Sequence, residues 1–373
     1  MTAEAFGGES VFGARGARLL FVLILILRVG IAAQFTGNFD TESYLIVADA
    51  VLAGQNAYQA TDRYNYSPVW SFVVAGLWAS ARPNVRLFIL SVGLLQTTFD
   101  ALTAWLLYRF ARRRLAFGAE SARRAALLFF ANPVSVAISC GHGQFDGIAV
   151  FFLLAAVSLL AEPLVPRRRP AAVGLLAASL LVKHVAAFHP LLFWRRLRKP
   201  GLTIWEVGSA YVLFGLSFLP FWPVLGRIWE NVVLYPAMLN VPRGPFPGGL
   251  RAFFHFASGS AAGFSVIALA AFGWVIWATR RAALWKASLV LFLAVLVFLP
   301  SYSIQYLVWP VALGSLEAGP AYAVFSGLAA LTSRSLHLRW PLMFDPLSAW
   351  AAALVWLALE LRALRGRAAL EVY

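Results

Sequence analysis

The chain has 373 residues, 61% of them hydrophobic and only 13% charged, with a mean hydropathy of +0.75. A soluble domain is nearer half apolar and about a quarter charged, so composition excludes an ordinary soluble protein and predicts an all-α, polytopic integral membrane protein. The formal charge of +15 would suit nucleic acid, but most of the 31 basic residues fall in short tracts between apolar runs, the pattern of cytoplasmic loops.

Residues 19–36 form the first apolar run. It lacks a good small-residue cleavage site and further spans follow, so it reads as a retained helix rather than a signal peptide, with the N-terminus inside. Residues 37–85 then form a first outer loop. Its apolar piece, 69–81, follows Pro68, contains Trp70 and Trp78, and is short for a span. A crossing there would put the six arginines between Arg109 and Arg124 outside, so it is expected to be an interfacial helix. Residues 87–108 return, 125–141 exit and 145–161 return. Residues 171–194 lie between the tracts Arg167–Arg169 and Arg195–Lys199 and must start and finish inside. Two short helices turning near Lys183 and His184 satisfy this, with broken backbone tolerated against protein or a wet cavity. Residues 202–222 exit, 223–258 form a second outer loop, and 261–279, 284–300, 305–316, 320–331 and 347–361 follow. The expectation is a single domain of about twelve membrane segments, 86–362 holding those after the first loop, with a cytoplasmic tail at 363–373. No internal repeat is visible. The single cysteine, Cys140, leaves no internal disulfide and has no Cys partner for zinc.

This threading gathers the unusual polar groups on the outer face. Asp40, Glu42 and Asp49 follow the first span, among Tyr44, Tyr58, Tyr64 and Tyr66. "GHGQFDG" brings His142, Gln144 and Asp146; the turn of the short hairpin brings Lys183 and His184; "SIQY" brings Gln305 and Tyr306. Ionisable groups at membrane depth are costly and usually mark a site. Structural readings stand beside the functional ones. Asp40 can cap a helix, Glu42 and Asp49 can be solvated acids, and His142 can pair with Asp146. Lys183 can snorkel, Gln305 can satisfy backbone freed by Pro300, and Arg28 can serve helix packing as readily as it binds an acid or phosphate. A partly desolvated acid can act as a general base, and a lysine can hold a phosphate. There is no Gly-rich phosphate loop, nucleophile elbow or metal-spaced His pair. The pattern therefore fits a reaction driven by a lipid-linked phosphate donor.

These residues resemble membrane glycosyltransferases of the GT-C superfamily, in particular the catalytic subunit of GPI mannosyltransferase I and its bacterial relatives. The likeness lies in Asp40, Tyr44, Gly54, Tyr58 and "YNYSP" (Tyr64 to Pro68), then "NPVSVAISCGHGQFD", "LLVKHVAAFHP" and "SIQYLVWP", in order along residues 19–310. It implies a GT-C-like fold in a bacterial plasma membrane, with the site facing outside. It also implies inverting transfer of a sugar, most often mannose, from a polyprenyl-phosphate donor to a glycolipid or glycan acceptor. Asp40 would be the catalytic base. Lys183, with His184 or Arg28, would bind the donor phosphate. Glu42, Tyr44, Asp49, Tyr64, Tyr66, His142, Gln144, Asp146, Gln305 and Tyr306 would bind sugar or acceptor. The family's Asp-x-Asp pair is Asp40-Thr41-Glu42 here, which leaves open a divalent cation, Mn or Mg, on Asp40 and Glu42. The rival readings are a transporter or lipid flippase, which would carry midplane polar groups and similar halves, and a non-catalytic structural subunit.

Overall fold

The computed structural model describes residues 13–161, 166–194, 202–234, 261–298, 303–338 and 346–370. Most of the expected second outer loop, the tract Arg195–Lys199 and the turn at Pro300 lie outside the described residues. All regular structure among the described residues is helical, as composition predicts.

Helix α1 spans Ala14–Gln34 and buries only Ala17, Ile24, Arg28 and Ala32, while Leu19, Val22, Leu23, Ile26 and Leu27 face outward. Such a run of exposed apolar side chains suits lipid. Three shorter helices follow: α2 (Phe39–Leu52), α3 (Ala57–Ala60) and α4 (Pro68–Ala81). Pro68 opens α4 at its first position, where the missing N–H costs nothing. At 14 residues α4 is shorter than a span, matching the expected interfacial helix in length and start. Helix α5 (Val85–Arg114) runs 30 residues and carries Arg112–Arg114 in its last turn. It meets α1 at Gly93, where a Cβ would come within 2.8 Å of Ala32 Cβ; small residues let apolar helices approach this closely.

Helix α6 (Ala119–Phe130) breaks at Asn132-Pro133, and the short α7 (Pro133–Val136) continues in a π turn, Ala137–Gly141, bent by 41°. Proline removes a helical N–H. Asn132 compensates: it accepts from Val134 N at 2.9 Å and donates to Tyr322 Oη at 2.9 Å and Ser326 Oγ at 2.8 Å. Next come α8 (Asp146–Leu160), α9 (Arg169–Val182), a 3-10 turn (His184–Ala186) and α10 (His189–Trp194), so the expected break falls at Lys183. The rest are α11 (Ile204–Leu216), α12 (Leu225–Ile228), α13 (Ala261–Ala278), α14 (Leu284–Phe298), α15 (Trp309–Gly314), α16 (Pro320–Leu338) and α17 (Pro346–Leu370).

By length and composition α1 and α5 can each cross a membrane. Counting as one span each the bent pair α6–α7 and the pair Ile204–Leu216 with Leu219–Val232 raises the number to four. The described helices thus carry two to four candidate spans and do not establish twelve membrane segments. Over their described lengths α8 and α14 are apolar but shorter than a span, and α9 is short, as expected of a hairpin helix. Helix α17 continues through the expected tail from residue 363 as far as Leu370.

Packing forms two centres. The larger surrounds α14, which is buried nearly all round and reads as a central helix. Lys286 on α14, expected in a cytoplasmic tract, is buried there between Glu317 and Glu360. The smaller centre is aromatic and joins α2, α4 and the start of α8: Tyr44, Tyr58, Tyr64, Tyr66, Trp70 and Phe145. Trp70 and Phe145 stack at 3.8 Å. The candidate site lies at this second centre.

Candidate functional site

Three chain segments build the site. In the first, Asn38 caps α2, its Oδ1 accepting from Asp40 N (3.1 Å) and Thr41 N (3.0 Å). Thr41 answers through its hydroxyl to the backbone of Asn38, so both ends of the cap are satisfied. Asp40 is thereby fixed in the first turn. In the second, the π turn delivers His142 and Gln144 around Gly143. Gly143 has φ +73°, which a side chain would resist, and an added Cβ there would crowd Phe35 and Thr41 at 3.4 Å. In the third, α9 ends at Lys183. Ser67 Oγ donates to the carbonyls of Leu180 (3.2 Å) and Val182 (3.3 Å), terminal carbonyls with no helical partner. This ties the Tyr-Ser-Pro turn to the lysine.

The result is a continuous polar line in an aromatic frame. His142 Nε2 lies 3.2 Å from Asp40 Oδ2. Gln144, fully buried, places Oε1 3.5 Å from Lys183 Nζ. Its amide nitrogen is near enough to favour the ionised form of Asp40 but completes no hydrogen bond. Lys183, 4% exposed, donates to Asp146 Oδ2 at 2.5 Å, and Asp146 Oδ1 accepts from Trp309 Nε1 at 2.7 Å. The ammonium also sits 5.1 Å from the Tyr66 ring and 5.0 Å from Phe145, positions of cation–π attraction.

Burial opposes ionisation of Asp40, but the hydrogen bond from His142, helped by Gln144 and Lys183, outweighs it and holds the carboxyl below its ordinary value. Asp40 is therefore ionised at neutral pH. Burial, together with Tyr66, Asp40 and Asp146, pushes the Tyr44 phenol far up, so it stays a neutral hydroxyl.

The expected residues divide. Asp40, Tyr44, Tyr66, His142, Gln144, Asp146 and Lys183 converge. Tyr306 stands behind them, its ring 4.3 Å from Trp309, and Gln305 accepts from Ser303. His184 follows Lys183 with Nδ1 buried and no hydrogen bond. The expected His142–Asp146 pair does not form; these acids and bases pair as Asp40–His142 and Asp146–Lys183.

Four expectations need correcting. Arg28 is fully buried and spends its guanidinium on Asp100 (2.7 Å), Ser135 (2.7 Å) and the Phe130 carbonyl (2.9 Å), which holds it in the helix packing and out of reach of a phosphate. Glu42 is 68% exposed and faces Arg63 at 3.4 Å. Residues two apart on a helix point to different sides: Glu42 turns to Arg63 while Asp40 turns to His142. Among the described residues no cluster of three or more His, Cys, Asp or Glu has metal-holding geometry. Asp49 accepts from Trp78 Nε1 (2.9 Å) and Arg82, fastening α2 to α4. Tyr64 donates to the Ser67 carbonyl at 2.7 Å within the aromatic centre, a structural use of its hydroxyl.

Sequence reasoning gave no role to Asn38, Ser67, Asp100 or Trp309. Ser67 and Trp309 lie within the motifs "YNYSP" and "SIQYLVWP", and Asn38, three residues before Thr and ahead of an apolar run, is a helix-start pattern.

No protein-family model matches the chain, and no curated protein matches its sequence.

Proposed function

We propose that the protein is an inverting membrane glycosyltransferase, multi-pass, with this site on the outer face. In this reading it moves a sugar, in the first instance mannose, from a polyprenyl-phosphate donor to a hydroxyl of a glycolipid or glycan. The observation that carries it is an ionised, partly exposed Asp40 paired with His142, beside Gln144 and the buried ammonium of Lys183, within an aromatic wall.

The acceptor oxygen attacks the sugar C1 while the bond from C1 to the phosphate oxygen breaks. The electron pair leaves with the polyprenyl phosphate, and the acceptor proton passes to Asp40. Charge grows on C1 in an oxocarbenium-like transition state and on the departing phosphate. The positive potential of Lys183 opposes the second. The Gln144 amide nitrogen, buried without a completed hydrogen bond, is suited to a sugar oxygen. Tyr44 and Tyr66 supply ring and hydroxyl surface. Energy comes from the donor, so no nucleotide site is required.

The test is sugar release by purified protein from a panel of radiolabelled polyprenyl-phosphate sugars, with and without Mn or Mg. Transfer is expected from at least one donor. Asp40→Asn should lower it by about 10²–10⁴-fold with donor binding retained. Absence of transfer from the whole panel, with movement of a labelled lipid between leaflets instead, would replace the reading with a flippase.

A further inference from the structure

Asn38 belongs to none of the roles above, yet its side chain touches both partners of the base. Its Oδ1 accepts two backbone N–H groups, those of Asp40 and Thr41. A backbone N–H can only donate, so this end of the amide must be the oxygen. The other end is then the NH2 group, and it lies 2.9 Å from His142 Nδ1 and 3.0 Å from the His142 carbonyl. Two donors cannot face each other, so His142 Nδ1 is the lone-pair nitrogen and the ring proton is on Nε2. That proton points at Asp40 Oδ2, 3.2 Å away.

We infer that Asn38 is a positioning residue for the reaction proposed above: it fixes the Nε2–H tautomer of His142 and so aims the Asp40 carboxylate. The inference rests on that functional reading for its consequence, but not for the tautomer itself. The amide grips both ring and carbonyl of His142, which sets the ring plane as well as the proton. The same side chain caps α2, which sets the backbone of Asp40. Oδ2 of Asp40 is then occupied by the imidazole N–H, and Oδ1 is left to receive a proton. With the tautomer reversed, a lone pair would face the carboxylate and the ring would have to turn away. A wrong tautomer in an otherwise intact acid–histidine pair is costly in other enzymes.

Asn38→Asp separates the two functions. Aspartate caps a helix about as well as asparagine, so α2 keeps its start. It offers His142 an acceptor where Asn38 offered a donor, so Nδ1 must take a proton. Asn38→Ser also keeps a cap but reaches His142 with nothing. The chain has five histidines. In protein labelled with 15N-histidine, the resonances of His142 are assigned as those lost in His142→Gln. Wild type should show a protonated Nε2 and a bare Nδ1; Asn38→Asp should show a protonated Nδ1. Both Asn38 variants should melt near wild type and lose about 10- to 100-fold in kcat, the usual scale for losing an orienting partner, with little change in KM. A protonated Nδ1 in the wild type, or unchanged histidine signals in Asn38→Asp, overturns the inference whatever the activity. Wild-type transfer with unchanged kcat in Asn38→Asp rejects the positioning role alone. The expected tautomer in a wild type that transfers from no donor rejects the reaction, and the positioning role with it.

Discussion

Two of the buried cation–carboxylate pairs among the described residues, Arg28–Asp100 and Lys183–Asp146, are built to different ends. Around Arg28 every guanidinium nitrogen has a partner: Nε the Phe130 carbonyl, Nη1 Asp100 and more distantly Cys140 Sγ, Nη2 Ser135. Ser135 in turn donates to Asp100 at 3.1 Å. Every nitrogen of the fork is held and the pair is sealed from solvent, with Asp100 Oδ1 buried and without a hydrogen bond of its own. Lys183 has one close carboxylate, one long contact to Gln144 and two ring faces, and its line of polar groups opens at Asp40, whose side chain is 25% exposed. Sealing on every side marks a pair that holds helices together. A lightly bonded ammonium near an accessible acid marks one that can answer a ligand.

The sharpest way to break the comparison is to remove one member of each pair. Arg28→Met leaves Asp100 buried and alone, and stripping a buried pair typically costs about 3–5 kcal/mol. Thermal unfolding in detergent should show a large fall, mostly recovered in Arg28→Met/Asp100→Leu, with transfer returning alongside stability. Lys183→Met also strips a buried acid and should destabilise. Lys183→Met/Asp146→Asn should recover stability, yet transfer should remain down by about 10²-fold or more. If that double variant regains transfer, Lys183 is as structural as Arg28 and the contrast is false.

Gly147 sits between the two pairs, next to Asp146 in sequence. A Cβ there would come within 2.9 Å of Asp100 Oδ1. Asp100 cannot easily retreat, because its Oδ2 is held by Arg28 and Ser135. Gly147→Ala should therefore cost about 1–3 kcal/mol by overpacking and weaken transfer less than loss of Lys183 does. Unfolding unchanged from wild type would show that the two pairs are not in tight register.

The acid limb of the pH–rate profile tests Asp40 itself. Its carboxyl is held below the ordinary value of 3.8, burial being outweighed by His142, Gln144 and Lys183. A depressed carboxyl contributes stability and base strength above its unfolded value and loses both as pH falls through the folded one. Transfer should thus persist on acidification until below the ordinary carboxylate range. A limb centred near neutrality would assign the proton-accepting role to another group.

How much of this was legible in the sequence depends on the range of the interactions. Helical class, the first span, the short helix at Pro68 and the break at Lys183 follow from apolar run length and from proline, which act locally. The gathering of Asp40, the His142 turn and Lys183 was legible because basic tracts fix which ends of the helices share a face. The pairing within that face was not. Arg28 reads as a phosphate ligand until Asp100 is seen, and Asp100 lies 72 residues away in an otherwise apolar helix. Lys286 reads as an orienting charge until the chain brings Glu317 and Glu360 to it. Partner choice among buried charges is set by tertiary packing, which no run or spacing encodes. The expected twelve spans go beyond the two to four that the described helices carry for a related reason: an apolar run predicts burial against lipid and protein alike, and α14 is buried in protein.

The smallest expected effects come from the acids that share the first loop with Asp40. Glu42 is 68% exposed opposite Arg63, and Asp62 is 84% exposed opposite Arg227 at 3.8 Å. Exposed ion pairs contribute roughly 0–1 kcal/mol, and neither carboxylate joins the polar line that runs from Asp40 to Lys183. Asp49 is intermediate, since it fastens α2 to α4 through Trp78 and Arg82 but touches nothing in the site. Glu42→Gln and Asp62→Asn should leave transfer within about two-fold of wild type and melting nearly unmoved. Asp49→Asn should lower melting slightly and leave kcat alone. Asp40→Asn must then stand apart from all three. A loss in Glu42→Gln comparable to that of Asp40→Asn, above all one rescued by added Mn or Mg, would mean that the first turn of α2 rearranges to bring both carboxylates onto one ligand. The separation between a site acid and its solvated neighbours would then fail at the place where it is drawn most sharply.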